Sequence, residues 1–194
     1  MTSDARFARL VSLACHDLRT PLATVHGFAR TLRRVELVDP APHYAEMIEV
    51  ASQQLAELID ELSLISRIEA GRFEPRLESV DSLELAKAAA AELEAGTVEV
   101  VGEGSEVEVE IETTQRAIRQ LARAARRHGG LETIELRVQG AELEIRPIAG
   151  TAGVVVTGEE LRELGAAVAG DALRALGATL TLEDDVFRIV LPAG

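Results

Sequence analysis

The chain has 194 residues, of which 47% are hydrophobic and only 3% aromatic, so its core must be built mainly from aliphatic side chains. The formal net charge of −13 argues against nucleic acid as a ligand. The same negative charge disfavours a highly charged nucleotide as a ligand, unless a local basic pocket offsets the electrostatic repulsion.

The single cysteine, Cys15, excludes an intrachain disulfide and fits a reducing compartment. No apolar stretch has the length of a membrane span and the first residues do not form a signal peptide, so we expect a cytoplasmic protein with no direct membrane insertion.

Two long amphipathic helices are predicted at the N-terminal end. In the first, from Asp4 to about Val38, apolar residues recur at steps of three and four and form one stripe. Ser3 or Asp4 is a candidate cap for its start. The sequence Asp39-Pro40-Ala41-Pro42 breaks the pattern and predicts a turn.

The second apolar stripe runs from Tyr44 to Ile68, and Gly71 is placed to terminate the helix. Two long helices joined by a short turn predict an antiparallel hairpin. Because a single hairpin buries only one stripe per helix, we expect it to pair with a second copy into a four-helix bundle. The alternative is that the hairpin packs on the C-terminal domain of its own chain.

The rest of the chain predicts a mixed sheet with helices on one face. Residues 72–81 are polar and are interpreted as a linker. Predicted helices cover residues 83–93, 115–128 and 159–176, and predicted strands cover residues 98–101, 107–111, 133–138, 141–145, 179–182 and 186–191. The fold class is therefore α+β, with a helical hairpin followed by an α/β sandwich.

The heptapeptide His16-Asp17-Leu18-Arg19-Thr20-Pro21-Leu22 lies inside the first predicted helix. Positions i and i+4 share a helix face, so His16 and Thr20 project together. A neutral imidazole is a nucleophile, and a carboxylate bonded to one ring nitrogen frees the other nitrogen to attack phosphorus. Pro21 lacks an N–H group, so the helix is expected to bend next to the histidine. An ordinary solvated face is the alternative interpretation of a lone His-Asp pair.

This heptapeptide resembles the H-box of two-component histidine kinases. The similarity extends through residues 23–28, and the second helix resembles the family at residues 55–62 and 66–71. The resemblance implies that His16 carries a phosphoryl group and that Asp17 is its acid/base and orienting partner. It also implies that Thr20 positions a water for dephosphorylating a partner receiver domain.

The same resemblance implies a domain organisation. Residues 1–72 would form the dimerisation and histidine-phosphotransfer hairpin, and residues 79–194 an α/β sandwich of the histidine-kinase ATPase type. The implied partners are a second copy of the chain and the receiver domain of a response regulator. The receiver would bring the Mg²⁺ that transfer requires.

The asparagine-rich box that holds Mg²⁺ in this family corresponds to residues 119–128. Ala124 stands where the pattern has its metal-binding asparagine, and Gln120 stands at the earlier asparagine. An alanine cannot ligate a metal. The nearby Arg123, Arg126 and Arg127 are basic enough to contact phosphate and are the main evidence for a working nucleotide site. The alternative is a solvated helix face or a partner-docking patch.

The other nucleotide-binding segments of the family are also reduced. The Asp-x-Gly-x-Gly turn corresponds to residues 146–153, which keep two glycines but contain no carboxylate. The glycine-rich phosphate loop is reduced to residues 164–168, and the lid between the two segments to residues 154–163. We therefore expect ATP binding to be lost, and we assign no cofactor-binding or metal-binding residue.

Three functions are compatible with the sequence. The first is a phosphotransferase that exchanges a phosphoryl group between His16 and a receiver aspartate. The second is an ATP-dependent histidine autokinase with an unusual nucleotide site. The third is a dimeric adaptor that binds receivers without accepting phosphate.

Overall fold

The structure is a computed structural model that describes residues 3–32 and 41–193. The chain divides into two compact units, Met1–Ser63 and Leu64–Gly194. The N-terminal unit is helical, and the C-terminal unit contains the sheet. Together they give the α+β class that the sequence predicts.

The helical hairpin is formed by α1 (Ser3–Leu32) and α2 (Ala41–Glu69). The ring of Phe28, near the end of α1, stacks on that of Tyr44, near the start of α2, with centroids 5.3 Å apart. The predicted end of the first helix near Val38 and the first half of the predicted turn lie outside the described residues.

Two boundary predictions for the hairpin are corrected by the structure. Ala41 and Pro42 are not part of a turn, because α2 already begins at Ala41. A proline is tolerated there, since the first N–H groups of a helix have no intrahelical partner. Ser3 and Asp4, proposed as caps, are themselves helical residues.

The end of α2 follows the sequence prediction. Gly71 has the left-handed backbone conformation, with φ of +63°. The N–H of Arg72 donates to the carbonyl of Arg67 at 2.8 Å, and the N–H of Gly71 donates to that of Ile68 at 3.0 Å. These two bonds form a Schellman cap, which satisfies carbonyls at the end of the helix.

The C-terminal unit alternates between strands and helices. Its strands are β1 (Glu78–Asp81), β2 (Val98–Gly104), β3 (Glu106–Val109), β4 (Ile134–Gly140), β5 (Glu142–Arg146), β6 (Thr179–Glu183) and β7 (Val186–Val190). Its helices are α3 (Ser82–Ala91), α4 (Ile111–Gly129), α5 (Ala152–Val156) and α6 (Leu164–Ala175).

The main sheet has five strands in the order β2-β4-β5-β7-β6. β2 runs parallel to β4 and the other neighbours are antiparallel, so the sheet is mixed. One face is apolar and packs against the helices through residues such as Leu136, Leu143 and Phe187, which are all buried. The other face is polar and holds ion pairs, including Arg188 with Glu144 at 3.0 Å. The alternation of apolar and polar residues along each strand separates these two faces.

Four differences from the predicted elements are found in this unit. The predicted linker contains a strand, because Glu78–Asp81 pairs with β3 in a separate two-stranded sheet. Ile111 begins α4 and does not end a strand. The helix predicted from residue 159 starts only at Leu164. The short helix α5 was not predicted.

Candidate functional site

His16 lies on the solvent side of α1, with 77% of its side chain exposed. Its Nδ1 atom lies 3.1 Å from Oδ1 of Asp17, whose side chain is 25% exposed. Within the described part of the chain, Nε2 has no hydrogen-bond partner. The carboxylate therefore restrains one ring nitrogen, while the other nitrogen faces water and is accessible to a docking protein.

Thr20 lies one helical turn after His16 and is also exposed. The next residue, Pro21, is inside α1 and is buried. Since Pro21 has no N–H group, the carbonyl of Asp17 lacks its usual helical donor. The three residues proposed for phosphoryl chemistry thus share the exposed side of one helix. Cys15, which precedes His16 in the chain, is also exposed.

The segments that the resemblance assigns to the family's nucleotide site lie on α4 and α6 and in the turn before α5. Ala124 has no exposed surface and lies in the core, and Gln120 is 7% exposed. Helix α4 packs directly against α5 and α6. The first six residues of α6, 164–169, are all buried. Small side chains on both helices allow this close approach.

The turn between β5 and α5 packs against the end of α4. Gly150 has φ of +55°, and a Cβ atom built there would lie 3.3 Å from the carbonyl oxygen of His128. Two residues earlier, where the Asp-x-Gly-x-Gly pattern has its aspartate, the chain has Ile148, which is 5% exposed. By this correspondence, a buried apolar side chain occupies the position of the family's aspartate.

His128 also contacts the start of α6. Its Nε2 atom lies 3.1 Å from Oε2 of Glu163, and the two side chains are only 19% and 15% exposed. Sequence patterns do not reveal this pair, because 35 residues separate its members. Their proximity depends on the packing of α4 against α6.

The outer side of α4 is basic. Arg119 pairs with Glu92, and Arg126 pairs with Glu94 at 3.3 Å. Arg123 is exposed and has no ion-pair partner in the part of the chain that the structure describes. Among the same residues, no group of three or more His, Cys, Asp and Glu side chains is placed to hold a metal ion.

The chain is similar in sequence to known histidine kinases. Residues 8–71 match the His Kinase A (phospho-acceptor) domain family. The chain is 30% identical over 172 residues to the histidine protein kinase DivJ of Caulobacter vibrioides, an alignment that covers 81% of this chain and 28% of DivJ. The chain belongs to the two-component sensor histidine kinase family, a family of kinases and phosphotransferases, and its first half contains the phospho-acceptor domain.

Solved structures show the same fold. The histidine kinase AdeS of Acinetobacter baumannii superposes with a TM-score of 0.70 at 17% identity, covering 92% of this chain and 98% of that chain. A bacterial phosphotransferase superposes with a TM-score of 0.51 at 12% identity, covering 97% and 96% of the two chains. None of the helices in the described ranges combines the length and apolar character that a bilayer span requires.

Proposed function

We propose that this protein is a phosphotransferase of the histidine kinase family, which carries a phosphoryl group on His16 and exchanges it with an aspartate of a response-regulator receiver. The observation that carries the proposal is the exposed His16 ring with Nδ1 held 3.1 Å from Asp17. This arrangement prepares the opposite nitrogen for in-line attack. We propose the cytoplasm, where receiver domains act, as its location.

In the transfer step, each bond that forms is matched by a bond that breaks. The lone pair of Nε2 attacks the phosphorus of the receiver's aspartyl phosphate, a P–N bond forms, and the P–O bond to the aspartate breaks. The aspartate leaves as a carboxylate with the electron pair of that bond. The imidazole ring gains positive charge, which Asp17 stabilises across its contact with Nδ1. The reverse step returns the phosphoryl group to the receiver.

We propose that Mg²⁺ reaches this site with the receiver. Within the described residues, Asp17 is the only side chain with a hydrogen bond to the His16 ring, and one carboxylate does not make a magnesium site. We propose that Thr20, exposed one turn further along α1, positions a water when the receiver is docked. It would then assist hydrolysis of the receiver's phosphoryl group.

A homodimer is the proposed assembly. Large apolar side chains remain exposed on both helices of the N-terminal unit, with Leu22 and Ile59 each 58% exposed. Burying such side chains against a second hairpin releases about 25 cal/mol for each Å² of apolar surface covered. A four-helix bundle covers apolar surface on all its helices in this way.

We further propose that the chain does not bind ATP. Ala124 lies in the core where the family has a metal-binding asparagine, and Ile148 stands where it has an aspartate. The direct packing of α4 on α6, and the His128–Glu163 pair, occupy space between those elements. The residues present therefore do not fit a magnesium nucleotide. A solved bacterial phosphotransferase shares this fold over nearly the whole of both chains, so the fold is compatible with a phosphotransferase role.

Autokinase activity is the second candidate. Its support is the 30% identity to DivJ, which is named a histidine protein kinase, over most of this chain. The chain spans only 28% of the length of DivJ, so the whole protein's activity is itself part of the proposal. A non-catalytic adaptor is the third candidate, since the exposed side of α1 would also allow receiver docking without transfer.

One experiment separates the three candidates. The protein and its His16→Gln variant are incubated with γ-labelled ATP and Mg²⁺, and in parallel with receiver domains labelled on their aspartate. We expect acid-labile label on His16 only from the labelled receivers. Label from ATP would establish the autokinase instead. Receiver binding without any label on His16 would leave the adaptor.

A further inference from the structure

We propose that the outer face of α4 is a docking surface for an acidic protein. We call it the arginine face and define it by its five members, Arg116, Arg119, Arg123, Arg126 and Arg127. The proposal does not involve His16 or phosphoryl transfer, so it stands or falls independently of the proposed function.

The five arginines lie on one side of the helix. At 100° per residue they fall within a sector of about 100°, and the helix rises about 1.5 Å per residue, so the row is roughly 17 Å long. The opposite side of α4 is in the core. Its buried residues are Thr114, Ala117, Ile118, Gln120, Leu121, Ala122, Ala124 and Ala125. The apolar residues therefore hold α4 in place, and the charged residues face outward.

The charge of this face contrasts with that of the rest of the domain. Residues 73–194 contain 12 Lys and Arg against 23 Asp and Glu. Five of those 12 cationic residues lie on α4, where Glu112 is the only acidic residue. A general need for solubility does not require cations to be gathered on one helix of an acidic domain. A local positive surface of this kind attracts and orients a negatively charged partner.

The chain itself shows which groups this face binds. Glu92 and Glu94 both come from the segment after α3, and they pair with Arg119 and Arg126. Two arginines of the face thus already pair with carboxylates of the chain itself. In the described part of the chain, the remaining three members of the face have no ion-pair partner. A guanidinium offers several N–H donors, so each of the three retains full capacity to bind a carboxylate.

The geometry favours a protein over a nucleotide, a nucleic acid or a membrane. The arginines stand in a row on a convex helix, so they do not converge on one phosphate group. Nucleic acid and anionic membranes extend beyond the row and would meet the surrounding acidic surface of a chain with net charge −13. An acidic protein surface can place separate carboxylates along a row of this length.

The test uses the full chain and a fluorescein-labelled oligoglutamate peptide, with an oligoglutamine peptide for comparison. The double variant R116E/R123E changes two arginines that have no ion pair to lose, and R76E reverses an exposed charge outside α4. We expect saturable binding of oligoglutamate that weakens with salt, that is about tenfold weaker in R116E/R123E, and that is unchanged in R76E. Equal binding by all three proteins would overturn the proposal.

Further measurements test other ligands of the arginine face. Circular dichroism establishes that the variant is folded, and if R116E/R123E does not fold, R116Q/R123Q is used in its place. Stronger binding to inorganic triphosphate, to duplex DNA or to phosphatidylserine vesicles than to oligoglutamate would contradict an acidic protein as the partner. Loss of dimerisation by sedimentation in the variant alone would show that the face binds a second copy, which would also overturn the proposal.

Discussion

Nε2 of His128 lies 3.1 Å from Oε2 of Glu163, so the last turn of α4 is joined to the residue that precedes α6. Both side chains are largely shielded from water, which makes the contact stronger than a typical surface pair. The two elements it joins are those that flank the nucleotide in the family pattern. The contact thus supports the proposal that no open nucleotide cleft remains between α4 and α6.

We predict that Glu163→Ala lowers the free energy of unfolding by about 1–2 kcal/mol, because His128 loses its partner in a poorly solvated position. Urea unfolding followed by circular dichroism measures this change. The matched control is Glu160→Ala, whose carboxylate pairs with Arg162 but is 49% exposed. The control should change the free energy of unfolding by less than about 0.5 kcal/mol. Equal effects of the two substitutions would show that the His128 contact is not stabilising.

Asp17→Asn is expected to slow phosphoryl transfer to His16 by roughly a hundredfold, since an amide keeps the shape of the carboxylate but cannot neutralise the charge that develops on the ring. Quenched-flow transfer from a labelled receiver gives the rate. Asp60→Asn, which removes an exposed acid on α2, serves as the control and should leave the rate unchanged. A normal rate for Asp17→Asn would exclude an acid/base or orienting role for this residue.

Ala124→Asn tests the proposal that core packing, and not one missing asparagine alone, prevents ATP binding. We predict that it does not create ATP binding and that it destabilises the fold by about 1–3 kcal/mol, because the larger polar side chain must enter a packed core. Calorimetry measures ATP binding and thermal unfolding. Arg123→Asn, at the adjacent exposed position, controls for helix propensity and should cost about 0.5 kcal/mol. Tight ATP binding by Ala124→Asn would refute the packing argument.

Gly102 is predicted to be required for the pairing of β2 with β4. It has φ of +114°, and a Cβ atom there would overlap the carbonyl oxygen of Val138 on the neighbouring strand. Gly102→Ala should lower the free energy of unfolding by more than about 2 kcal/mol, since both backbone strain and a clash with the neighbouring backbone are involved. Thermal unfolding gives the value.

Gly158→Ala is the matched control for Gly102→Ala. Gly158 also has positive φ, +78°, but a Cβ atom there meets open space. We expect only the backbone cost of about 1–2 kcal/mol at this position. A Gly102→Ala variant no less stable than Gly158→Ala would show that the sheet adjusts to remove the clash.

Some features follow directly from local sequence. The hairpin helices are predictable from their apolar stripes, and the end of α2 from Gly71. The hairpin of β4 and β5 is predictable from its alternating residues on either side of Gly140. Each of these signals acts over a few neighbouring residues, where helix and strand periodicity dominate. His16 and Asp17 are adjacent in the chain, so the contact between their side chains is also a local feature.

Other features were not predictable because they depend on distant parts of the chain. The strand β1 was predicted as linker, since a four-residue polar segment becomes a strand only when β3 is beside it. The short helix α5 has no extended periodicity, and it is stabilised by packing on α4. Such elements gain little from their own propensity and depend on tertiary contacts.

The sequence by itself determined the fold class, the helical hairpin and the family, because the H-box and the apolar stripes are encoded in contiguous residues. Only the tertiary structure decided that Ala124 lies in the core, that His128 meets Glu163, and that the arginines of α4 face outward together. Burial and pairing are properties of surfaces brought together by folding. Residues far apart in the chain acquire them only when the helices pack on the sheet.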